Sequence, residues 1–291
     1  MYTLFAYTRD PAQRIVRFAV DNNVQKSLTA FLTPQIEFFN RDRESVPFDG
    51  KYKPDDGELL VIEEFEDLDN LASAIPAPLS FPIADPSTLS FDQIRALFIG
   101  ETNADGTISV YIQNFDRRKL ITDSGFSIFH SKDTYKKIEG TGLTIDTKIS
   151  AKLTGTKLEF YSFFLVSRIF DMSSYFQEAT DADIDEFAGL PQISVADHAS
   201  LIDISDSWIR KKFWLIRQSG ILDRVPPADI KAIAAEFSIP VAFETVDGVE
   251  KLKLPETKKE LKAVLRFLDE DYYKSPLSKT NFITNSKRAV A

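Results

Sequence analysis

The residues with the most chemical potential in this sequence are three basic runs. Residues 205–218 are spaced to form a helix. At about 100° per residue, Trp208, Ile209, Phe213, Leu215 and Ile216 fall on one broad apolar face. Arg210, Lys211 and Arg217 fall opposite, with Trp214 among them. Cations around an indole suit a phosphate backbone with a stacking or sugar contact beside it. The alternative is that Trp214 packs on a neighbouring element. Lys212 falls on the apolar side and must snorkel to water. Arg117, Arg118 and Lys119 follow a strand, sit on a turn and form a second strip able to hold phosphates by charge. The run Asn281–Arg288 (NFITNSKR) sets Thr284, Asn285 and Ser286 before Lys287 and Arg288. Hydroxyls, an amide and two cations can bind a phosphate, or they can build a local turn that docks the tail. On the residues alone the turn is favoured.

Enzyme motifs are absent. There is no GxxxxGK[ST] loop, no GxGxxG, no GxSxG elbow and no HExxH. Asp55, Asp56 and Glu58 precede an apolar strand as a metal-dependent nuclease would require, but the position two after Glu58 is Leu60 rather than lysine. Glu63, Glu64, Glu66 and Asp67 read as a solvated acidic edge. His130 reads as a strand-end residue and His198 as a cap or surface residue. No catalytic set and no metal-ligand set emerges. No small-molecule cofactor is expected, and binding is a stronger expectation than catalysis.

Composition narrows the classes further. The chain has 291 residues, no cysteine and two histidines, which excludes disulfides, cysteine–zinc sites and thiol catalysis. No apolar run reaches 18 residues, the length from which a membrane-spanning helix is read. The opening MYTLFAYTRDP lacks a basic segment followed by an apolar stretch, so no secretory signal is expected and a cytoplasmic protein is the default. The net charge of −9 argues against a generic nucleic-acid binder, but it is unevenly laid out. Residues 1–204 hold 19 Lys and Arg against 32 Asp and Glu, whereas residues 205–291 hold 16 against 12. Pro54–Ile94 and Ile169–Ile209 lack Lys and Arg altogether, and between them Arg117–Lys157 carries nine basic residues. Either these are solvated faces, or a polyanion-facing surface is set on an acidic body.

These side chains need elements to position them. Tyr2–Tyr7 reads as a strand, and roughly 22–33 as a helix stopped by Pro34. Leu59–Phe65 begins as a buried strand, and the four prolines of 75–92 mark an irregular connector. Ala104-Asp105-Gly106, Thr154-Gly155-Thr156 and Val246-Asp247-Gly248 each predict a hairpin. The alternation Ile108, Val110, Ile112 predicts a strand with one buried face. Phe160–Phe170 reads as core. Helices follow at 205–218, ending at Gly220, and after Pro226-Pro227, with Ile230, Ile233, Ala234 and Phe237 on one face. A last helix starts at Thr257, where Glu260 completes a capping box. The tail turns at Pro276. The fold class is therefore α+β: a β-rich mixed part over residues 1–165, then a helical part with a hairpin over 166–291. The order helix, helix, hairpin, helix within 205–270 partly matches a winged-helix module.

The run FLDEDYYKSPLSKTNFITNSKR (Phe267–Arg288) resembles the end of the KwaB family of the Kiwa anti-phage system. The matching pieces are Leu268-Asp269, Tyr272, Pro276-Leu277 and Phe282-x-Thr284-Asn285-Ser286-Lys287. The resemblance implies a bacterial cytoplasmic effector, recruited to the inner membrane through a KwaA-like multi-pass membrane protein. It further implies association with DNA, suppression of phage replication or expression, and a homo-oligomer. It supplies no catalytic residues, and Thr284–Lys287 enters as a family signature without a role. The leading expectation is a DNA-associating effector using Arg210, Lys211, Arg217, Lys287 and Arg288, with Arg117–Lys119 as a second strip. The alternatives are a non-catalytic subunit that docks a membrane protein or anionic lipid, and a metal-dependent nuclease.

Overall fold

The structure is a computed structural model that describes residues 1–67, 69–122, 126–138 and 140–288. The chain is α+β, strand-rich in its first part and helical in its second. It divides into two units: Met1–Phe48 with Pro54–Asp171, and Asp49–Lys53 with Met172–Ala291.

The first unit runs β1 (Phe5–Thr8), β2 (Ile15–Arg17), α1 (Asn22–Phe39), β3 (Glu44–Pro47), β4 (Glu58–Ile62), β5 (Ile94–Thr102) and β6 (Ile108–Asn114). Short strands β7 (Leu120–Ile121), β8 (Ile128–Ser131), β9 (Thr134–Lys137) and β10 (Gly142–Leu143) follow, then β11 (Ala151–Thr154), β12 (Lys157–Phe160) and α2 (Phe163–Val166). Eight of the strands form one sheet in the order β2-β1-β5-β6-β11-β12-β4-β3. Every neighbouring pair is antiparallel except β3 and β4. The loop joining that parallel pair carries Asp49–Lys53, which belongs to the second unit.

Helix α1 lies on one face of the sheet, burying Leu28, Leu32, Ile36 and Phe39 among Leu97, Ile99 and Tyr111. Asp21 caps it by accepting the Asn23 and Val24 N–H groups. The helix does not stop at Pro34, as the sequence suggested; Pro34 lies inside it. The apolar stripe continues past the proline through Ile36 and Phe39, and burying those two side chains offsets one missing backbone hydrogen bond. Strand β6 is likewise buried on both faces rather than one, because Ser109, Tyr111 and Gln113 are as enclosed as Val110 and Ile112. Phe5 stacks on Phe98 at 5.0 Å and Phe65 packs on Phe170 at 4.9 Å. Gly100 is required by this packing, since a Cβ there would meet Ile75 Cδ1 at 2.6 Å. The run 160–170 supplies core through Phe160, Val166 and Ile169, but Phe164 is exposed.

The second unit runs α3 (Asp181–Ala188), β13 (Ile193–Ser194), α4 (His198–Ile204), α5 (Ser207–Ser219), α6 (Ile221–Arg224), α7 (Pro227–Glu236), β14 (Ala242–Val246), β15 (Val249–Lys253) and α8 (Lys258–Leu268). It ends in the hairpin β16 (Tyr272–Lys274) and β17 (Asn281–Ile283). The sequence reading missed this hairpin, treating the segment only as a turning tail. Gly220 adopts φ +61 and closes α5, and Asp247 and Gly248 both take positive φ in the β14–β15 turn. The core gathers Ile184, Phe187, Ile209, Phe213, Leu252, Leu261 and Leu265. Ile233 departs from the predicted apolar face of α7 and is exposed. Helices α4, α5 and α7 precede the β14–β15 hairpin, as in a winged helix, but β13 joins β15 in parallel. The helix before the wing, α7, holds Asp229, Glu236 and a lysine, Lys231, that bonds Glu250. It offers little to a phosphate.

Candidate nucleic-acid interface

The basic face of α5 forms as the spacing predicted, but each of its cations has an acidic partner. Arg210 donates to Asp181 at 2.6 Å and to the carbonyls of Ala179 and Ser205. Lys211 lies 3.5 Å from Glu178. Arg217 forks onto Glu186 at 2.5 and 2.7 Å, with Asp183 at 3.9 Å. The Glu186 hydrogen bond holds the Arg217 guanidinium above its ordinary pKa. The acids come from α3 and the segment before it, so the acidic block 169–209 folds onto the basic island that follows it. Helix α3 is fixed there, because Ile184 and Phe187 are buried and Phe187 packs on Phe213 at 4.7 Å. Trp214 packs edge-on against Phe176 at 5.2 Å and borders a cavity of about 190 Å³.

Lys212 corrects the snorkelling expectation. Its ammonium turns inward, 2.5 Å from Asp269 and 2.6 Å from Asp271, both carboxylates being buried. A cation on an apolar helix face needs water or carboxylates, and here the α8–β16 turn supplies the carboxylates. Lys287 reaches the same pair, at 2.8 Å from Asp271 and 3.3 Å from Asp269. Lys51 comes within 3.3 Å of Asp269 Oδ1, which has no hydrogen-bond donor of its own.

The tail motif forms a local turn. Thr284 Oγ1 donates to the Ser286 carbonyl at 2.7 Å and accepts the Ser286 N–H at 3.1 Å. The Ser286 hydroxyl accepts the Lys53 N–H, and the Lys287 N–H donates to the Lys51 carbonyl. Asn285 is exposed, and Arg288 lies over the Tyr52 ring at 5.7 Å. Arg117–Lys119 forms a single 3-10 turn capped by Asp116. Arg118 returns to Asp116 at 3.6 Å, and Lys119 bonds Asp146 at 2.7 Å, a contact that lowers the Asp146 pKa. Arg117 is exposed on the wall of a cavity of about 440 Å³ and has no ion-pair partner among the described residues.

A basic surface less compensated than that of α5 is one the sequence reading did not nominate. On α8, Lys258, Lys259, Lys262 and Arg266 fall within an arc of about 100°, beside the arc of the buried Leu261, Val264, Leu265 and Leu268. Lys258 and Lys262 share one carboxylate, Asp206, at 3.1 and 2.8 Å. The Lys262 hydrogen bond is the main cause that holds Asp206 well below the ordinary carboxylate range. Arg266 and the exposed Lys259 pair with no acid among the described residues. The Trp208 ring of α5 lies beside this stripe, 5.3 Å from Lys262, 5.3 Å from Arg266 and 5.4 Å from Lys212. The signal was present in the run KKELKAVLRF, where four cations sit at helical spacing with one acid. Read locally, that run shows only a cap and a leucine stripe.

The nuclease alternative gains no geometry. Glu58 accepts the Asp55 N–H in a local turn, and among the described residues no three His, Asp or Glu side chains converge as metal ligands. His198 opens α4 with its ring 3.3 Å from Asp185, and His130 packs on Tyr135. No described helix is long and apolar enough to cross a membrane.

A family model described as Kiwa protein KwaB-like matches residues 92–278, more than half of the chain. The chain belongs to the KwaB family. Membership makes it a component of Kiwa anti-phage defence. No curated protein and no solved structure matches it. The KwaB match includes α5, Trp208, the α8 stripe and the two buried aspartates. It ends before Asn281–Arg288, so the tail signature lies outside the matched span.

Proposed function

We propose that this KwaB-family chain is the DNA-associating effector of its defence system and that α8 makes the principal phosphate contact. The observation that supports this reading is the imbalance on that helix: Lys258, Lys259, Lys262 and Arg266 face one shared carboxylate, Asp206. On α5, by contrast, Arg210, Lys211 and Arg217 would each have to leave an acid before meeting a phosphate. Trp208 beside the stripe adds a flat surface for a sugar or base. Arg117 and Arg288 serve as outlying contacts. A net charge of −9 disfavours coating of DNA and favours such a localised contact. The effector works as a homo-oligomer beside a KwaA-like multi-pass membrane protein and suppresses phage replication or expression once bound.

The test is binding of the purified chain to labelled duplex DNA across a salt series, with and without magnesium. Lys262→Ala and Arg266→Ala are each expected to weaken binding and lower the salt slope by about one. Arg210→Ala and Arg217→Ala are expected to leave the slope unchanged. Unchanged slopes for the α8 variants, or a larger loss from the α5 pair, would remove the contact from α8. Cleavage in magnesium that disappears in Asp56→Asn with Glu58→Gln would establish the nuclease alternative instead.

A further inference from the structure

The hairpin β16–β17 holds Tyr272, Pro276, Leu277 and Phe282 of the residues that carry the family resemblance, and the DNA reading does not use them. Its inner face is tied down. Lys274 bonds Glu236 at 2.6 Å, Asn281 reaches the Glu236 carbonyl, and Tyr272 packs on Phe237 at 6.0 Å. On the outer face Tyr273 and Phe282 stand directly across the ladder and stack at 5.3 Å with an interplanar angle of 17°. Each is a little under half exposed to water, at 48% and 41%. At the tip, the turn closed by the Ser275 and Lys279 N–H groups pushes Leu277 out to 94% exposure. Lys279 takes φ +57 beside it and pairs with no acid among the described residues.

We infer that the outer face and tip of this hairpin bind an anionic lipid surface. A protein partner is the poorer fit, because a standard interface takes about 20–30 residues a side with well-matched shape. The outer face and tip of this two-stranded ribbon offer three apolar side chains, Tyr273, Leu277 and Phe282. A bilayer interface accepts such a tip. An apolar side chain enters the acyl boundary, aromatic rings sit at headgroup level, and Lys279 remains among anionic headgroups. DNA is also a poorer fit, since Leu277 has nothing to offer a phosphate.

The experiment is flotation of the full chain with pure phosphatidylcholine vesicles and with vesicles of equal parts phosphatidylcholine and phosphatidylglycerol. Binding is expected on the anionic vesicles. Leu277→Asp is expected to reduce it about tenfold, and Tyr273→Ser with Phe282→Ser by at least as much. Lys279→Glu is expected to reduce it several-fold. Leu277 touches almost nothing, so its variant keeps the wild-type circular dichroism and the wild-type DNA affinity, which separates this inference from the DNA reading. Absent vesicle binding, or equal binding by wild type and Leu277→Asp, overturns the inference. Capture of a solubilised membrane partner that Leu277→Asp abolishes, without vesicle binding, reassigns the hairpin to a protein and also overturns it. Loss of DNA affinity in Leu277→Asp with vesicle binding intact does the same in favour of nucleic acid.

Discussion

At position 206 one carboxylate caps α5 through the Ile209 N–H and faces Lys258 and Lys262 of α8. Its pKa is lowered in the folded state, so the stability it contributes is present above the ordinary aspartate value of about 4. That contribution is lost as pH falls through the lower folded value. Asparagine caps a helix about as well as aspartate, so Asp206→Asn removes the ion pairs and keeps the cap. The variant is expected to unfold at lower urea than wild type at pH 7, with the gap closing as the pH is lowered below about 4. It also frees two lysines, so DNA affinity is expected to rise, with a salt slope steeper by about one. Weaker DNA binding at unchanged stability would show that Asp206 neither restrains the stripe nor supports the fold. None of this was visible in the sequence, because the capping carboxylate and its lysines lie on different helices.

Among the elements, α1 shows where local rules and packing disagree. Pro34 sits inside the helix with its ring exposed, while Leu32 and Ile36 on either side are buried. Pro34→Ala therefore restores a backbone donor without opening a cavity. It is expected to raise stability by about 1–3 kcal/mol, read as a higher denaturant midpoint with unchanged slope. A loss of stability would mean that the helix geometry around Pro34 is itself required. The sequence read Pro34 as a stop because local propensity carries no information about the sheet beneath. The three hairpins with Gly at the turn were legible for the opposite reason, since Gly106, Gly155 and Gly248 all take positive φ, as their turns demand. The β16–β17 hairpin was not legible, because its Pro276–Lys279 turn has no glycine and its left-handed residue is a lysine. The basic face of α5 was predicted from its period. Its neutralisation depended on which acids α3 would bring, a tertiary fact outside any window of sequence.

In the molecule as a whole, chain order and physical membership differ at one point. Gly50–Lys53 lies between two strands of the first unit in sequence, yet Lys51 and Lys53 bond residues of the second. The Lys53 N–H meets a hydroxyl 233 residues away, and Lys51 meets buried Asp269. Gly50 has φ +75, and a Cβ there would lie 2.3 Å from Phe176 Cδ2. Both the left-handed backbone and the ring exclude a side chain. Phe176 in turn packs on Trp214, so the strap reaches the α5 face as well as the aspartate cluster. Gly50→Ala is expected to lower stability by about 1–3 kcal/mol, the sum of a strained φ and a displaced ring. Hydrogen exchange locates the loss. The amides of Lys53 and Lys287, which bond Ser286 Oγ and the Lys51 carbonyl, are expected to exchange faster, while those of Tyr111 and Ile112 in β6 keep wild-type protection. Equal loss of protection in β6 would mean that the strap stabilises the sheet it leaves, and that the two units unfold as one.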